Sequence, residues 1–270
     1  MMVDDLEARR ERMNWAVSVA REASGLILTQ FTSSDLQVEA KRDLTPVTVA
    51  DRDAERLIRD RIESDFPGDG VLGEEYGEVL GTSGYRWILD PIDGTKSFIH
   101  GVPLFGTLIG LEHHGEMVAG VCRMPALEEV VYAAVGVGAY WQRGDEAPEP
   151  ARVSSVDRLD EALLCTTTIT GWRTIGLQST FERLCGAAGL VRGWSDCYGH
   201  LLVATGRADV MVDPELNAWD AAPFLPILSE AGGHFLSFDG RETIDGGNGL
   251  SVNGEIKAEV LALISDPTGT

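Results

Sequence analysis

The spacing of apolar residues changes twice along the chain, and this change limits the folds it can adopt. Apolar residues first recur three or four positions apart, which predicts one helix from Leu6 to Phe31 and another from Asp51 to Phe66. Between residues 71 and 143 there follow short β-rich runs separated by glycine, proline and polar residues, which predict a mainly antiparallel meander. Helical and strand patterns then alternate. The order predicts an α+β fold of packed helix and sheet layers.

The second half of the chain predicts α and β elements in alternation. Its strands are expected at "ALLCTTT", "LVRGW", "ADVMVD" and "HFLSF". Its helices are expected at Ile175–Ala188, Asp196–Gly206 and Trp219–Ala231, with a last helix capped by Asn253. The polar segment Arg143–Ala162 contains prolines and is either a boundary between halves 1–150 and 151–270 or a surface excursion.

Composition excludes several classes of protein. The 270 residues include 22 basic and 43 acidic side chains, a formal net charge of −21. A nucleic-acid-binding surface needs a basic face, so we expect no nucleic-acid partner. No apolar run reaches the ~20 residues of a membrane span, and the acidic N-terminus lacks the pattern of a signal peptide. The four cysteines form no CxxC pair. We expect a cytoplasmic protein with reduced thiols and no membrane partner.

Two acids share one turn in the stretch "WILDPIDGTKSFIHG". The apolar run before Asp90 predicts a buried strand that ends there. Pro91 fixes φ and removes an N–H, and Gly94 tolerates left-handed geometry. The spacing of Asp90 and Asp93 can therefore point both carboxylates to one side. A surface turn whose acids cap backbone groups is the alternative.

Acids also stand at the ends of three other predicted elements. Glu74 and Glu75 follow a short apolar strand, whereas Asp51 and Asp220 lie at helix starts. Taken alone, each helix-start acid reads as an N-terminal cap worth about 1 kcal/mol. Four such segments together favour an oxygen-rich site, which selects hard cations such as Mg²⁺. Two ions bridged by carboxylates can activate a water for phosphoryl transfer.

Three motifs in this order carry a resemblance to a known family. They are "GEE" at Gly73–Glu75, "DPIDGT" at Asp90–Thr95 and "WDAA" at Trp219–Ala222. With them the chain resembles the inositol monophosphatase family of Mg²⁺-dependent phosphatases over about Ala16–Ile264. The resemblance implies a layered α/β/α/β/α, sugar-phosphatase-like architecture. Within the family, the chain is most similar to the histidinol-phosphate phosphatase branch, on the stretches "DPIDGTKSFIHGVPLFGTLIGL", "DCYGHLLVATGRADVMVD" and "NAWDAAPFLPILSEAGG".

The resemblance also implies a set of metal ligands. Glu74, Asp90 and the backbone carbonyl of Ile92 are expected to bind the first Mg²⁺. Asp90, Asp93 and Asp220 are expected to bind the second. A weaker third ion is expected near Glu74, so the site would hold two to three ions.

The catalytic and phosphate-binding roles follow from the same resemblance. Asp51 and Thr95 are expected to orient and deprotonate the attacking water. Asp93, Gly94 and Thr95 are expected to bind the substrate, and the backbone N–H groups near Gly94 and Thr95 can hold the phosphate oxygens. Lys96 is read as a solvated side chain or a local ion pair.

Substrate choice is expected to lie in the segment Arg192–Asn217. Asp196 and Asp213 are the candidates for binding a cationic substrate, because an ion pair to a desolvated ammonium is a strong discriminator. The alternatives are a helix cap for Asp196 and a turn residue for Asp213. Tyr198 and Asn217 are weaker candidates for contacting the substrate ring, and His200 is expected to be a packing residue.

The predicted reaction is direct attack of water on a small-molecule phosphate monoester, with histidinol phosphate as the leading substrate. The alternatives are an inositol-1-monophosphatase and a broad sugar-phosphate phosphatase. An alternative that is not an enzyme is a catalytically silent regulator that binds metal or phosphate. The complete set of acids argues against that reading. The resemblance further implies a homodimer.

Overall fold

The computed structural model describes residues 3–33, 38–40 and 46–265. The helices in these ranges are α1 (Val3–Gln30), α2 (Val49–Asp65), α3 (Thr95–Ile99), α4 (Gly171–Thr174), α5 (Gln178–Ala187), α6 (Asp196–Ala204), α7 (Ala218–Ala221), α8 (Phe224–Glu230) and α9 (Lys257–Ser265). The strands are β1 (Val38–Ala40), β2 (Pro46–Thr48), β3 (Gly70–Gly73), β4 (Gly77–Val79), β5 (Tyr85–Asp93), β6 (Gly106–His113), β7 (Glu116–Met124), β8 (Glu129–Ala134), β9 (Gly138–Arg143), β10 (Glu149–Pro150), β11 (Leu163–Thr166), β12 (Leu190–Arg192), β13 (Val210–Asp213), β14 (Gly233–Leu236) and β15 (Gly249–Asn253).

An eight-stranded sheet contains the predicted meander. Its strand order is β10-β9-β8-β7-β6-β5-β3-β4. Neighbours run antiparallel except β3 and β5, which run parallel. Parallel pairing brings the carboxyl ends of these two strands to the same edge of the sheet. Glu74 therefore follows β3 beside β5, and its amide donates to the Leu89 carbonyl at 3.1 Å.

A five-stranded sheet forms most of the second half. Its order is β12-β11-β13-β15-β14, with β12, β11 and β13 parallel and the other pairings antiparallel. Strand β15 was not predicted from the sequence. It is buried along its whole length. Apolar Leu250 and Val252 alternate with polar Ser251 and Asn253, but the strand has only five residues and its last one, Asn253, was assigned to a helix cap.

Helices cover both sheets and also fill the space between them. Helices α1 and α2 pack on one face of the large sheet, while α6, α7 and α8 lie between the two sheets. Helices α4, α5 and α9 cover the outer face of the small sheet. Successive residues of β6 point to opposite faces of the sheet. Leu108 packs on the side of α6 and α8, whereas Ile109 packs on the side of α1 and α2. This α/β/α/β/α order confirms the predicted layered α+β fold.

Three predicted helices have different bounds in the structure. The helix predicted at Ile175–Ala188 begins three residues later, as α5 at Gln178, because Gly176, with a left-handed φ of 79°, separates it from the short helix α4, which was not predicted. The helix predicted at Trp219–Ala231 is divided into α7 and α8 at Pro223, because proline has no N–H to continue the helix. Asn253 belongs to β15, and its side chain accepts the amides two and three residues further on, each at 3.1 Å. Helix α9 therefore begins only at Lys257.

Strand β10 belongs to the large sheet and β11 to the small sheet, so the chain passes from one sheet to the other within the predicted boundary segment. Helices α6 and α8 of the second half nevertheless pack on the large sheet of the first half. The division at residue 150 stays a prediction. The four cysteines are unpaired, as expected. Within the described ranges, no helix has the length and apolarity to cross a membrane.

Candidate active site

One cavity of about 260 Å³ collects nearly all of the predicted site residues. The predicted residues on its wall are Glu74, Asp90, Ile92, Asp93, Gly94, Thr95, Asp196, Asp213 and Asp220. Asn217, a weaker candidate for contacting the substrate ring, also lines it. Five residues not assigned to the site from the sequence complete the wall: Lys96, Thr167, Thr168, Glu215 and Leu216. The cavity wall thus carries seven carboxylates and one cationic side chain.

The turn from β5 into α3 places two of these carboxylates. Asp90 accepts the Ile92 amide at 3.0 Å, and the buried Thr107 hydroxyl donates to the Pro91 carbonyl at 2.9 Å. Gly94 follows with a φ of 82°, and a Cβ there would approach a backbone carbonyl to 2.9 Å. Only glycine meets both demands without strain. The chain therefore turns with its acids facing the cavity.

Asp90, Asp93 and Asp220 form the densest group of acids. Carboxylate oxygens of the three lie within 4.8 Å of one another. Burial raises the pKa of Asp90 and of Asp93, and repulsion by neighbouring carboxylates, Glu74 and Asp196 among them, raises both pKa values further. Burial also raises the pKa of Asp220. Because buried like charges are costly without a counterion, this all-oxygen set fits hard cations such as Mg²⁺.

Elements of the second half hold two of the three acids in place. The Cys197 amide, in the first turn of α6, donates to Asp93 at 2.6 Å. The Asn217 amide donates to Asp220 at 2.8 Å as part of a capping box at the start of α7. The N-cap itself is Asn217, so Asp220 is not the cap that its alternative reading predicted; it completes the capping box from the third helical position and also lies close to Asp90 and Asp93. The site is complete only where the two halves meet.

The predicted catalytic pair is divided between the cavity and the interior. Thr95 lines the cavity and donates its hydroxyl hydrogen to the Ile92 carbonyl at 3.1 Å. Asp51 is not among the residues that line the cavity; it is buried, 1 % exposed, and accepts the Thr48 amide at 2.8 Å at the start of α2. Burial raises the pKa of Asp51 to about 6, and the charge of Glu75 contributes to this shift. The joint role of Asp51 and Thr95 stays a prediction.

Asp196 and Asp213 meet at Thr167. The Thr167 hydroxyl donates to the Asp213 carboxylate and accepts the Asp196 amide, the latter at 2.9 Å. Burial raises the pKa of Asp213 to about 8, with smaller contributions from the charges of Asp196 and Asp220. The cap alternative for Asp196 fails, because Ser195 precedes α6 and Asp196 is its first residue. Asp196 holds a left-handed φ of 55°, a strained conformation for an L-residue that is typical of functional sites.

Thr167, Glu215 and Lys96 are site residues that the sequence reading left out or discounted. Thr167 directly follows β11, which pairs in parallel with β13. The carboxyl ends of adjacent parallel strands meet at one edge and commonly bind ligands, so the pairing would have placed Thr167 beside Asp213. Lys96 is exposed, as predicted, but it lines the cavity, and its charge opposes the rise in the pKa of Asp196 that burial causes.

Tyr198 and His200 face the core rather than the cavity. The Tyr198 ring packs near the Arg207 guanidinium, 6.0 Å from the ring centroid. His200 is 1 % exposed, lies between Phe224 and Phe235, and shares a 2.7 Å hydrogen bond with Ser251 through Nδ1. Burial lowers the pKa of His200 to about 3. The position of Tyr198 contradicts a contact with the substrate ring, whereas that of His200 agrees with a packing role.

The layered fold and the buried carboxylate cluster define a phosphatase that works with bound divalent cations. The chain matches the Inositol monophosphatase family over residues 8–266. It belongs to this family.

Individual relatives agree with that assignment. A histidinol-phosphatase of Chlorobaculum parvum is 44% identical over 93% of this chain and 95% of its own. A histidinol-phosphatase of Mycobacterium tuberculosis is 39% identical over 93% of this chain and 96% of its own. A crystal structure of the extragenic suppressor protein suhB from Bartonella henselae matches with a TM-score of 0.87 and 29% identity, and covers 96% of this chain and 100% of its own.

Proposed function

We propose that this chain hydrolyses histidinol phosphate to histidinol and phosphate with Mg²⁺ bound at the acidic cavity. The observation that carries the proposal is the acid content of the cavity. Asp90, Asp93 and Asp220 form one close group, and further carboxylates, Asp196 and Asp213 among them, line the same wall. The first group suits cations and the second suits a cationic substrate. The two relatives above named histidinol-phosphatase support this choice of substrate.

The ions would be held by the close group of acids, Asp90, Asp93 and Asp220, together with Glu74 and the backbone carbonyl of Ile92. Bound Mg²⁺ supplies positive charge to the phosphate oxygens and acidity to the attacking water. Thr95 donates its hydrogen to the Ile92 carbonyl, so its oxygen lone pairs can accept a hydrogen bond from a water in the cavity. The second lone pair of the Ile92 carbonyl remains for an ion.

Asp51 is the proposed acceptor of the water's proton. The Thr95 hydroxyl, which donates to the Ile92 carbonyl in the absence of substrate, would turn to give its own hydrogen to Asp51 while it takes the proton of the water. A pKa of about 6 suits a general base that works near neutral pH. Water attacks phosphorus directly, the bond to the ester oxygen breaks, and the leaving alkoxide takes a proton from solvent water. The amides of Gly94 and Thr95 are the proposed donors to the phosphate oxygens. No covalent enzyme intermediate is required.

Asp213 and Asp196 are the proposed sites for the ammonium and imidazole groups of the substrate. Asp213 is 3 % exposed, and its raised pKa means that the metal-free, substrate-free carboxyl tends to hold a proton at neutral pH. A bound cation favours the ionised form. Binding of a cationic substrate is therefore coupled to proton release. A neutral polyol such as inositol offers no such charge.

Three finer points complete the proposal. The site takes two to three Mg²⁺ ions, with the weakest near Glu74. The chain forms a homodimer and works in the cytoplasm. Resemblance to the family supports the first two points. Light scattering of the purified chain and calorimetric titration with Mg²⁺ test the subunit number and the ion number.

A substrate panel tests the proposed reaction. The purified chain is assayed with Mg²⁺ on histidinol phosphate, inositol 1-phosphate and a neutral alkyl phosphate. We expect kcat/KM to be highest for histidinol phosphate. A higher value for inositol 1-phosphate would show that the histidinol assignment is wrong. No turnover of any ester would support a silent metal-binding protein.

A further inference from the structure

The carboxylate of Glu55, on α2, is sealed inside the protein behind the turn that carries Glu74. Glu55 is 0 % exposed, and a buried carboxylate is stable only if it is fully paired. Its oxygens accept hydrogen bonds from Arg59 Nε at 2.8 Å, from the Glu75 amide at 2.8 Å and from the Tyr76 amide at 3.2 Å. The Glu55 side chain thus accepts hydrogen bonds from the two backbone amides that directly follow Glu74.

Arg59, one helical turn further along α2, extends the same grip. Its second guanidinium nitrogen donates to the Gly77 carbonyl. The pair therefore holds three consecutive backbone units, at Glu75, Tyr76 and Gly77. This pairing is an i, i+4 ion pair with both side chains mostly buried, so solvent screens it much less than a surface pair.

Gly73 shows how closely Glu55 approaches the turn. A Cβ at Gly73 would overlap the Glu55 carboxylate and crowd the Arg59 guanidinium. The residue before Glu74 therefore has to be glycine for this carboxylate to lie against the backbone. Glu55 contacts the chain on both sides of Glu74.

Arg56 of the same helix also contacts the turn, but it donates to the Tyr76 hydroxyl at 2.7 Å and not to the backbone. Strand β4 is the edge of the large sheet, pairs with β3 at three positions and is exposed throughout. Short exposed edge hairpins are marginally stable on their own. On the opposite side, the Glu74 amide donates to Leu89, the residue before Asp90. Glu74 is thus fixed between β5 and the Glu55–Arg59 pair.

We propose that Glu55 and Arg59 are positioning residues that hold the Glu74 carboxylate at the cation site; this role rests on the proposed metal-dependent function. Neither side chain lines the cavity described above. They act through the backbone of residues 73 and 75–77, which sets where the Glu74 side chain starts. The ion nearest Glu74 is the one whose affinity depends on them.

Metal binding without substrate is the primary test. Mn²⁺ is titrated into the full chain, and free Mn²⁺ is measured by electron paramagnetic resonance. Glu55→Gln keeps the side-chain shape but faces backbone N–H groups with an amide in place of a carboxylate. We expect it to weaken one class of Mn²⁺ site about tenfold, a loss typical of groups that support metal ligands. The other class should keep its affinity.

Variants of Arg59 and a matched control sharpen the result. Arg59→Met should weaken the same site, and Arg59→Lys should retain more affinity because it keeps a charged donor for Glu55. Glu63→Gln changes an exposed glutamate of the same helix and should leave Mn²⁺ binding unchanged. In a phosphatase assay, Glu55→Gln should raise the Mg²⁺ concentration needed for half-maximal rate while the rate at saturating Mg²⁺ is kept.

Two outcomes separate this proposal from the proposed function. If Glu55→Gln lowers the melting temperature but binds Mn²⁺ as the wild type does, Glu55 only anchors the edge hairpin and the positioning role is wrong. If the wild type hydrolyses none of the phosphate esters and Glu55→Gln still weakens Mn²⁺ binding, positioning is supported and the phosphatase proposal fails.

Discussion

Replacing Asp213 by asparagine should stabilise the metal-free protein, and increasingly so as the pH rises. Burial raises the pKa of Asp213 from 3.8 to about 8. Between these values the folded chain keeps a proton that the unfolded chain has lost. The free energy of unfolding therefore falls as the pH rises through this range. Asparagine has no proton to lose, and its carbonyl oxygen can still accept the Thr167 hydroxyl.

The expected size follows from the same pKa values. Each pH unit in the range costs about 1.4 kcal/mol. From 3.8 to about 8 the cost reaches a ceiling of ~6 kcal/mol. The advantage of Asp213→Asn over the wild type should thus be small at pH 4 and grow to several kcal/mol at pH 8.

Guanidinium unfolding in EDTA, at pH 4, 6 and 8, measures this advantage. EDTA keeps cations out of the cavity, where they would stabilise the ionised acids. Glu116→Gln, at an exposed position on the hairpin between β6 and β7, is the control and should show no such trend. A stability difference between Asp213→Asn and the wild type that stays constant with pH would refute the assignment of a raised pKa to Asp213.

Three further perturbations test other parts of the site. Asp93→Asn should abolish turnover with the fold retained, because it removes a proposed metal ligand; substantial residual activity beside a native circular-dichroism spectrum would contradict the two-ion site. Asp196→Ala should raise KM for histidinol phosphate about tenfold, the loss of about 1.5 kcal/mol from one charged hydrogen bond. Equal effects on a neutral alkyl phosphate would remove Asp196 from ammonium binding. Acidification should destabilise the protein through His200, because the unfolded chain gains a proton below pH 6.5 that the folded chain refuses until about pH 3. His200→Gln should lessen the acid-induced loss by up to about 1.4 kcal/mol per pH unit, and unfolding curves at pH 6 and 5 that show identical losses in both proteins would contradict this.

The spacing of apolar residues predicted those helices and strands in which the spacing continues without a break. Helix α1 was expected because apolar residues keep a helical spacing from Leu6 to Phe31, and the structure has it at Val3–Gln30. Strand β15 was not expected, because its alternation of apolar and polar residues covers only five positions and its last residue, Asn253, was assigned to a helix cap. Gly176 delays the start of α5, and Pro223 divides a helix that periodicity alone makes continuous.

In the candidate site, too, residues placed by a single turn were predicted, whereas residues placed by contacts between distant parts of the sequence were missed. Asp90, Asp93 and Gly94 were predicted because one turn carries the constraint that places them. Thr167 was missed because its role comes from the pairing of β11 with β13, which joins residues far apart in sequence. Glu55 was missed because it reads as an ordinary helix residue until the turn after β3 folds against it.

The hydrogen bond from the Cys197 amide to Asp93 means that the proposed cation site depends on residues that are synthesised late. A chain emerging from the ribosome has Asp90 and Asp93 long before it has the amide that fixes Asp93, or Asp220. Tight cation binding is therefore reserved for the completely folded molecule. A ligand at 100 times its dissociation constant stabilises that state by about 2.7 kcal/mol through mass action. Cellular Mg²⁺ would then set how long the protein survives as well as how fast it works.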